Sequence, residues 1–355
     1  MKKLMAIFAL LLASTFFFTG CVGASITYDG EYWNKNSSAF TAIEETIVYD
    51  VTTTYLTPSY ENEVKNDFIK LEIEEGTYTV KLTGVLAKVN YYVLETELKI
   101  KGQYVLGSNT LETPQTIPVD DYLKTYTKFE SIENAFKPIY SMRTTYNEAT
   151  QTKHYNTSVY SYMDGYVESH LAYEYSIEYE GKNAKSNLVY SVPVRDETTN
   201  EIIDEQTVEE AFTYNSYDSG AFIDNNLLTF LPRAFNLKDS FYQEFTTIDV
   251  PTHDVKKMLY TISQSSSAVS VQVFENLTYN YVLNGEQKTI ESGFNTHRLY
   301  SAINDTFSGA PIELYYAVDT ATHRHRLIKS YTALNDNMGF IEYTIKSVNV
   351  TEGVW

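Results

Sequence analysis

The densest cluster of side chains able to do chemistry is "THRHRL", residues 322–327, where His323 and His325 stand two residues apart beside Arg324 and Arg326. On a strand, positions i and i+2 share a face, so the two imidazoles offer a metal two nitrogens while the guanidinium groups take the other face. Zinc sites need three or four protein ligands, and no third ligand accompanies this pair at a supporting spacing. His323 and His325 are therefore weak metal candidates, and a solvated start of a strand is the simpler reading. The other histidines, His154, His170, His253 and His297, are dispersed. The run "DETTNEIIDEQ" concentrates acids over 196–205, but it lacks the glycine and the regular oxygen spacing of a calcium loop. No G-x-S-x-G elbow, H-E-x-x-H helix, phosphate loop or dinucleotide fingerprint occurs. No catalytic residue and no cofactor is assigned, and the expectation is a non-catalytic protein.

The chain holds one cysteine, Cys21, and its position is informative. Lys2 and Lys3 precede an uncharged apolar run from Leu4 to Phe18, and Thr19-Gly20 follows it, the layout of a signal peptide. That run is shorter than the roughly 20 residues a stable membrane-crossing helix needs. Phe18-Thr19-Gly20-Cys21 resembles a bacterial lipobox, with Phe18 where leucine is usual. The resemblance implies that residues 1–20 are removed and that Cys21 becomes an N-terminus bearing diacylglycerol and fatty acyl chains such as palmitate. An ordinary secretory signal with an incidental thiol is the alternative. Two acyl chains anchor a protein stably where one does not. A lipoprotein of the bacterial cell envelope, extracytoplasmic and tied to a membrane, is the expectation. A lone cysteine also excludes intrachain disulfides and cysteine-only metal sites.

Formal charge is −19 over the whole chain, and losing Lys2 and Lys3 with the signal makes it −21. Such a surface repels nucleic acid and anionic headgroups, so neither is an expected partner. Hydrophobic residues at 43% are enough to bury a large core. Among them are 32 tyrosines, and with abundant threonine they suit a pleated, half-buried surface.

Residues 22–45 are polar and weakly patterned and read as a tether. From about 46 the period becomes two. "DFIKLEIEEGTYTVKLTG" reads as a hairpin turning at Glu75-Gly76, and "NYYVLETELKIKG" repeats the alternation. Further strands are expected near 122–130, 137–147, 153–163, 167–180, 241–249, 255–264, 268–283, 287–293, 311–319, 324–334 and 339–350, with a turn at Asp164-Gly165. Two short amphipathic helices interrupt them. One has Val208, Ala211 and Phe212 at helical spacing. The other has Phe222, Leu227, Leu228, Leu231 and Phe235, with Asp224 as N-cap and Pro232 limiting it.

The final meander, "PIELYYAVD", "RHRLIKSYTAL" and "GFIEYTIKSVNV", resembles the end of envelope domains of the LolA/LppX type, and of related extracytoplasmic β-domains of unknown function. The resemblance implies one antiparallel sheet wrapped into a half-barrel, helices over its concave side, and lipid chains held between. The fold expected is thus mainly β, a large curved antiparallel meander with a few short helices covering one face. Its domains are a signal peptide (1–20), a lipid-anchored tether (21–45) and a β-rich body (46–355), with a division of the last into halves at about 46–198 and 199–355 as the alternative. The expected ligand is a lipid or other hydrophobic small molecule, with Phe222, Leu227, Leu228, Leu231 and Phe235 as candidates for the cleft. A surface interaction protein, binding a protein or glycan through a Tyr-rich sheet face, is the second reading.

Overall fold

The computed structural model describes residues 43–55, 68–107, 115–131, 134–147, 173–196, 198–199, 202–215, 222–235, 237, 241–262, 271–274, 277–288, 294–303, 312–318, 324–333 and 339–353. The signal segment, Cys21, most of the tether, the strand expected at 153–163, the Asp164-Gly165 turn and His323 lie outside them.

Alternating Val, Ile, Leu, Tyr and Thr make nearly everything described a strand. Eight run in sequence, β1 (Ile43–Tyr55), β2 (Phe68–Val85), β3 (Tyr91–Gly107), β4 (Gln115–Glu130), β5 (Pro138–Asn147), β6 (Tyr173–Glu180), β7 (Asn183–Arg195) and β8 (Ile202–Asn215). Each pairs antiparallel with the next. After β8 come β9 (Phe241–Asp249), β10 (Asp254–Ile262), β11 (Val271–Phe274), β12 (Asn280–Leu283), β13 (Glu286–Lys288), β14 (Phe294–Ile303), β15 (Ile312–Val318), β16 (His325–Ala333) and β17 (Gly339–Glu352). β17 pairs with β1, so the first and last thirds of the chain meet in one sheet. Across it the order is β8-β7-β6-β5-β4-β3-β2-β1-β17-β16-β15-β14-β10-β9. β11 extends the β10 edge of β14, and β12 adds parallel to β17. The β12–β13 hairpin turns on Asn284 and Gly285 at φ of 52° and 80°, the pairing a tight type I′ turn selects.

Two expected elements are corrected. Residues 68–85 are one strand, with no turn at Glu75-Gly76. A bulge between Ile73 and Glu75 absorbs the extra residue, and Gly76 is there for space, since a Cβ on it would lie 2.3 Å from Val51 O. Residues 202–215 form β8 and not a helix. Val208, Glu210, Phe212 and Tyr214 alternate with the exposed Thr207, Glu209, Ala211 and Thr213, and the edge of β7 supplies hydrogen bonds all along the segment. The spacing of Val208, Ala211 and Phe212 fits both periods, and the available partner strand decides between them.

The sheet curls without closing into a barrel by strand pairing. The short segment 222–237 touches β4, β9 and β16. β4 and β9 stand nine places apart in the strand order, about 43 Å in a flat sheet at ~4.8 Å per strand. Only a sheet bent around the segment brings both into contact with it. At the seam, Phe222 bridges Thr246 of β9, and the turn after β9 reaches β8 through side chains. There the His253 ring stacks 3.6 Å from that of Phe212, and its Nε2 lies 2.9 Å from Glu210 Oε2.

Candidate functional site

Part of the concave face is covered by residues 222–237. The expected single helix is two short 3₁₀ turns, Asn225–Leu227 and Leu231–Ala234. Pro232 has no N–H to donate and its ring conflicts with the carbonyl four residues back, so an α-helix through it is disfavoured. Asp224 is the N-cap, its Oδ1 accepting from Asn226 N at 2.9 Å. The same carboxylate accepts from Tyr179 Oη at 2.6 Å, which pins the cap to β6. Asn226 donates to Ser141 Oγ on β5 at 2.7 Å. Burial raises the Asp224 carboxyl above its ordinary range, and the Tyr179, Asn226, Ser141 and Thr127 hydrogen bonds offset part of that rise.

At its other end the cover is held by charge. Arg233 grips Glu45 of β1 with two nitrogens, at 2.5 and 3.1 Å, and donates Nε to the carbonyl of His325 at 2.8 Å. Arg326 adds a third contact to Glu45 at 3.3 Å. Glu45, Arg233 and Arg326 are exposed by 1, 3 and 0%. Burial alone raises a carboxyl, but here Arg233, Arg326 and Arg324 outweigh it and hold Glu45 down to about 2. A buried charge without its partner is costly, so this pairing ties the cover to both β1 and β16.

Under this cover the interior is filled. Phe222, Leu227, Leu228, Leu231 and Phe235 are all buried, the first against Tyr175, Ile177 and Ile248, the others in the main core with Ile47, Leu94, Phe129, Leu314 and Ile345. The cavity beside them is about 20 Å³, room for little more than one water, and is lined by Tyr49, Tyr78, Thr96, Thr229, Phe230 and Arg233 among others. None of the five residues expected to line a cleft borders it.

A second, smaller apolar cluster lies on the same face toward the rim where β1 ends and β2 begins. Val51, Leu71, Ile100 and Val119 form its buried floor, and Ile73, Tyr78, Leu98, Ile341 and Tyr343 pack on that floor while keeping accessible surface. Facing pairs Val51–Tyr343, Tyr78–Leu98 and Leu98–Leu123 place these side chains on one face across five strands. Arg143 stands between Thr125 of β4 and Tyr175 of β6 and donates a hydrogen bond to the Tyr175 hydroxyl. Its Nε is buried and has no hydrogen-bond partner among the described residues. Burial works against its charge, but Tyr175, Tyr173 and Asp224 more than offset that and keep it a cation. Arg143, Tyr78 and Tyr343 are part-buried, and burial raises both tyrosine hydroxyls above their ordinary range.

On the convex face, part-buried tyrosines form a second feature. Tyr126 and Tyr140 meet edge to face at 6.3 Å, and Lys128 lies 4.0 Å over the ring of Tyr91.

The "THRHRL" cluster is not the solvated strand start that its spacing suggested. Arg324, His325 and Arg326 are exposed by 2% or less, and His325 contributes its backbone carbonyl to the Arg233 lock. Among the described residues no group of three or more His, Cys, Asp or Glu is placed to hold a metal. Two signals for the missed residues were present in the sequence. Arg233 interrupts the apolar run "LLTFLPRAF", and an arginine there must find a buried acid. Arg143 in "SMRTTY" falls on the inward phase of its strand.

No family model and no curated protein matches the chain. Among solved structures it is similar to a β-barrel-like protein of a domain of unknown function, DUF1849, from Brucella abortus. The two share 9% identity with a TM-score of 0.41, over 88% of this chain and 99% of that one. No helix among the described residues is long and apolar enough to cross a membrane.

Proposed function

We propose that this is a lipid-anchored, extracytoplasmic bacterial protein that binds a hydrophobic small molecule or lipid without catalysing a reaction, and that its site is the inner face of the sheet around Ile73, Leu98, Leu123, Ile341 and Tyr343. The observation that carries this reading is a row of part-exposed apolar side chains on the inner face of the sheet. Ile73, Leu98, Leu123, Ile341 and Tyr343 keep part of their apolar surface accessible inside a curved sheet. Apolar, concave surface with few polar groups is the ordinary form of a ligand site. The lipobox-like Phe-Thr-Gly-Cys supports the anchor, and the meander's resemblance to the LolA/LppX type supports a lipid as the ligand.

Native mass spectrometry of residues 22–355, purified from bacteria without detergent and incubated with envelope lipids, tests the reading. A stoichiometric lipid adduct supports it. A mass that stays that of the bare chain overturns it. The anchor is tested separately by Cys21→Ala, which is expected to move the full-length protein from the membrane to the soluble fraction.

The convex face supports a second reading, a surface interaction protein. Tyr91, Tyr126 and Tyr140 with Lys128 present rings and a cation of the kind that packs on sugars or on a protein partner. Replacing Tyr126 and Tyr140 by serine abolishes partner or glycan binding under this reading and leaves lipid binding untouched.

A further inference from the structure

We propose that the turn between β2 and β3, residues 86–90, docks on the lipid surface to which the chain is anchored, with Leu86 and Val89 entering the apolar layer and Lys88 staying among the headgroups. The inference rests on the anchor reading above and not on the ligand reading. Three observations carry it.

The first is the surface of the turn. Among the described residues five large aliphatic side chains are exposed, and two of them, Leu86 at 54% and Val89 at 57%, share this one turn. The other three, Val194, Ile203 and Val255, lie within β7, β8 and β10, toward the opposite end of the sheet. Lone exposed aliphatics are ordinary, but turns are built mainly from Gly, Pro, Asn, Asp and Ser, so two aliphatics three positions apart at a tip form a joint patch. The turn is also held in shape, because Ala87 N donates to Asn90 Oδ1 at 3.2 Å. A formed turn has little left to order on contact.

The second is where the chain enters the sheet. Residues 22–42 separate Cys21 from Ile43, the start of β1. Ile43 pairs with Glu352 and Glu44 with Thr83, so β1 begins beside the last residues of β2. Leu86 stands three positions past Thr83, about 10 Å at ~3.3 Å per residue. The patch thus shares an end of the sheet with the arrival of the tether. The Arg233–Glu45 grip of the cover lies at that end too, so docking there turns the cover toward the bilayer and the row of Ile73, Leu98 and Ile341 away from it.

The third is local charge. The chain as a whole is acidic, but around this turn Lys88 and Lys137 stand against Glu44 and Glu130, and Glu352 is paired with Arg324 at 2.6 Å. The attraction is therefore apolar, neutral headgroups serve, and the Lys88 stem can lie along the interface with its charge in water. Burying the exposed half of one leucine and one valine raises partitioning by about 10- to 100-fold. That is weak for a free protein and enough to set the orientation of one held at roughly millimolar effective concentration by a tether.

The test separates the turn from the native anchor. Residues 22–355 contain no cysteine, so Ala87→Cys takes a single environment-sensitive fluorophore, and Ile203→Cys takes the same label at the far end. An N-terminal histidine tag holds either protein on phosphatidylcholine vesicles doped with a nickel-chelating lipid and with lipids brominated on their acyl chains. The expected result is a blue shift and bromine quenching at position 87 and neither at 203. Adding Leu86→Ser and Val89→Ser is expected to abolish the quenching while leaving the urea midpoint and the tag-mediated binding unchanged. A label at 87 that stays unquenched on vesicle-bound protein overturns the proposal, as does equal quenching at 87 and 203. Quenching that survives both serine substitutions overturns the role of Leu86 and Val89. A wild-type dimer in solution that the serine substitutions dissociate assigns the patch to a second copy of the chain and also overturns it. The Cys21→Ala fractionation decides the anchor by itself, so a lipidated protein with an unquenched turn is told apart from an unlipidated one.

Discussion

The charge lock beneath the cover makes a quantitative prediction about acid stability. Glu45 is 1% exposed, and its carboxylate receives Arg233 at 2.5 and 3.1 Å and Arg326 at 3.3 Å. These guanidinium groups overcome the opposing effect of burial and lower its pKa from 4.5 to about 2. A folded-state pKa below the unfolded value means that the folded protein binds fewer protons, so the pairing stabilises at pH above 4.5 and the benefit fades as pH falls toward 2. At 1.36 kcal/mol per pH unit the full effect is about 3 kcal/mol, of which about 2 kcal/mol is gone by about pH 3. Other carboxylates titrate in the same window, so the wild type alone does not isolate Glu45. The measurement is therefore a comparison of urea unfolding for wild type and Glu45→Gln at about pH 7 and about pH 3. The variant leaves Arg233 and Arg326 buried without their acid, and a loss of about 3–5 kcal/mol at neutral pH is expected. The gap between the two proteins is expected to narrow by about 2 kcal/mol on acidification, because protonation does to the wild type what the substitution does permanently. A gap of the same size at both pH values would refute the reasoning, since Glu45 would then be worth no more ionised than neutral.

Two further outcomes follow from local geometry. Gly102→Ala places a Cβ 2.0 Å from Glu72 O, and because the obstacle is backbone at the β2 bulge, the strands must separate; a loss of at least about 2 kcal/mol is expected in denaturant unfolding. Asp224→Ala removes the N-cap and leaves Tyr179 Oη without its acceptor, for an expected loss of about 1–3 kcal/mol, with hydrogen exchange accelerating first in residues 225–235.

Why the sheet was legible and the site was not follows from the range of the interactions involved. The strands β5, β9, β15, β16 and β17 lie close to where period-two alternation put them, because each has one wet face and the pattern is written within ten or so consecutive residues. Errors arose where a local pattern admitted two structures and a distant partner chose. Gly76 looks like a turn when only its neighbours are considered, and becomes a straight-through position once Val51, from another strand, lies against it. Val208, Ala211 and Phe212 fit a helix until β7 offers an edge. The cover shows the same thing at the level of function. Its apolar residues announced that they would be buried, and they are, but a hydrophobic pattern does not distinguish a wall that holds a ligand from one that holds another wall. That distinction is made by Glu45 and Arg233, 188 positions apart, whose pairing draws the segment down onto the sheet. The most informative polar residues in this chain are thus two arginines placed among apolar or inward positions, one with its acid found and one with a buried Nε–H still without an acceptor among the described residues.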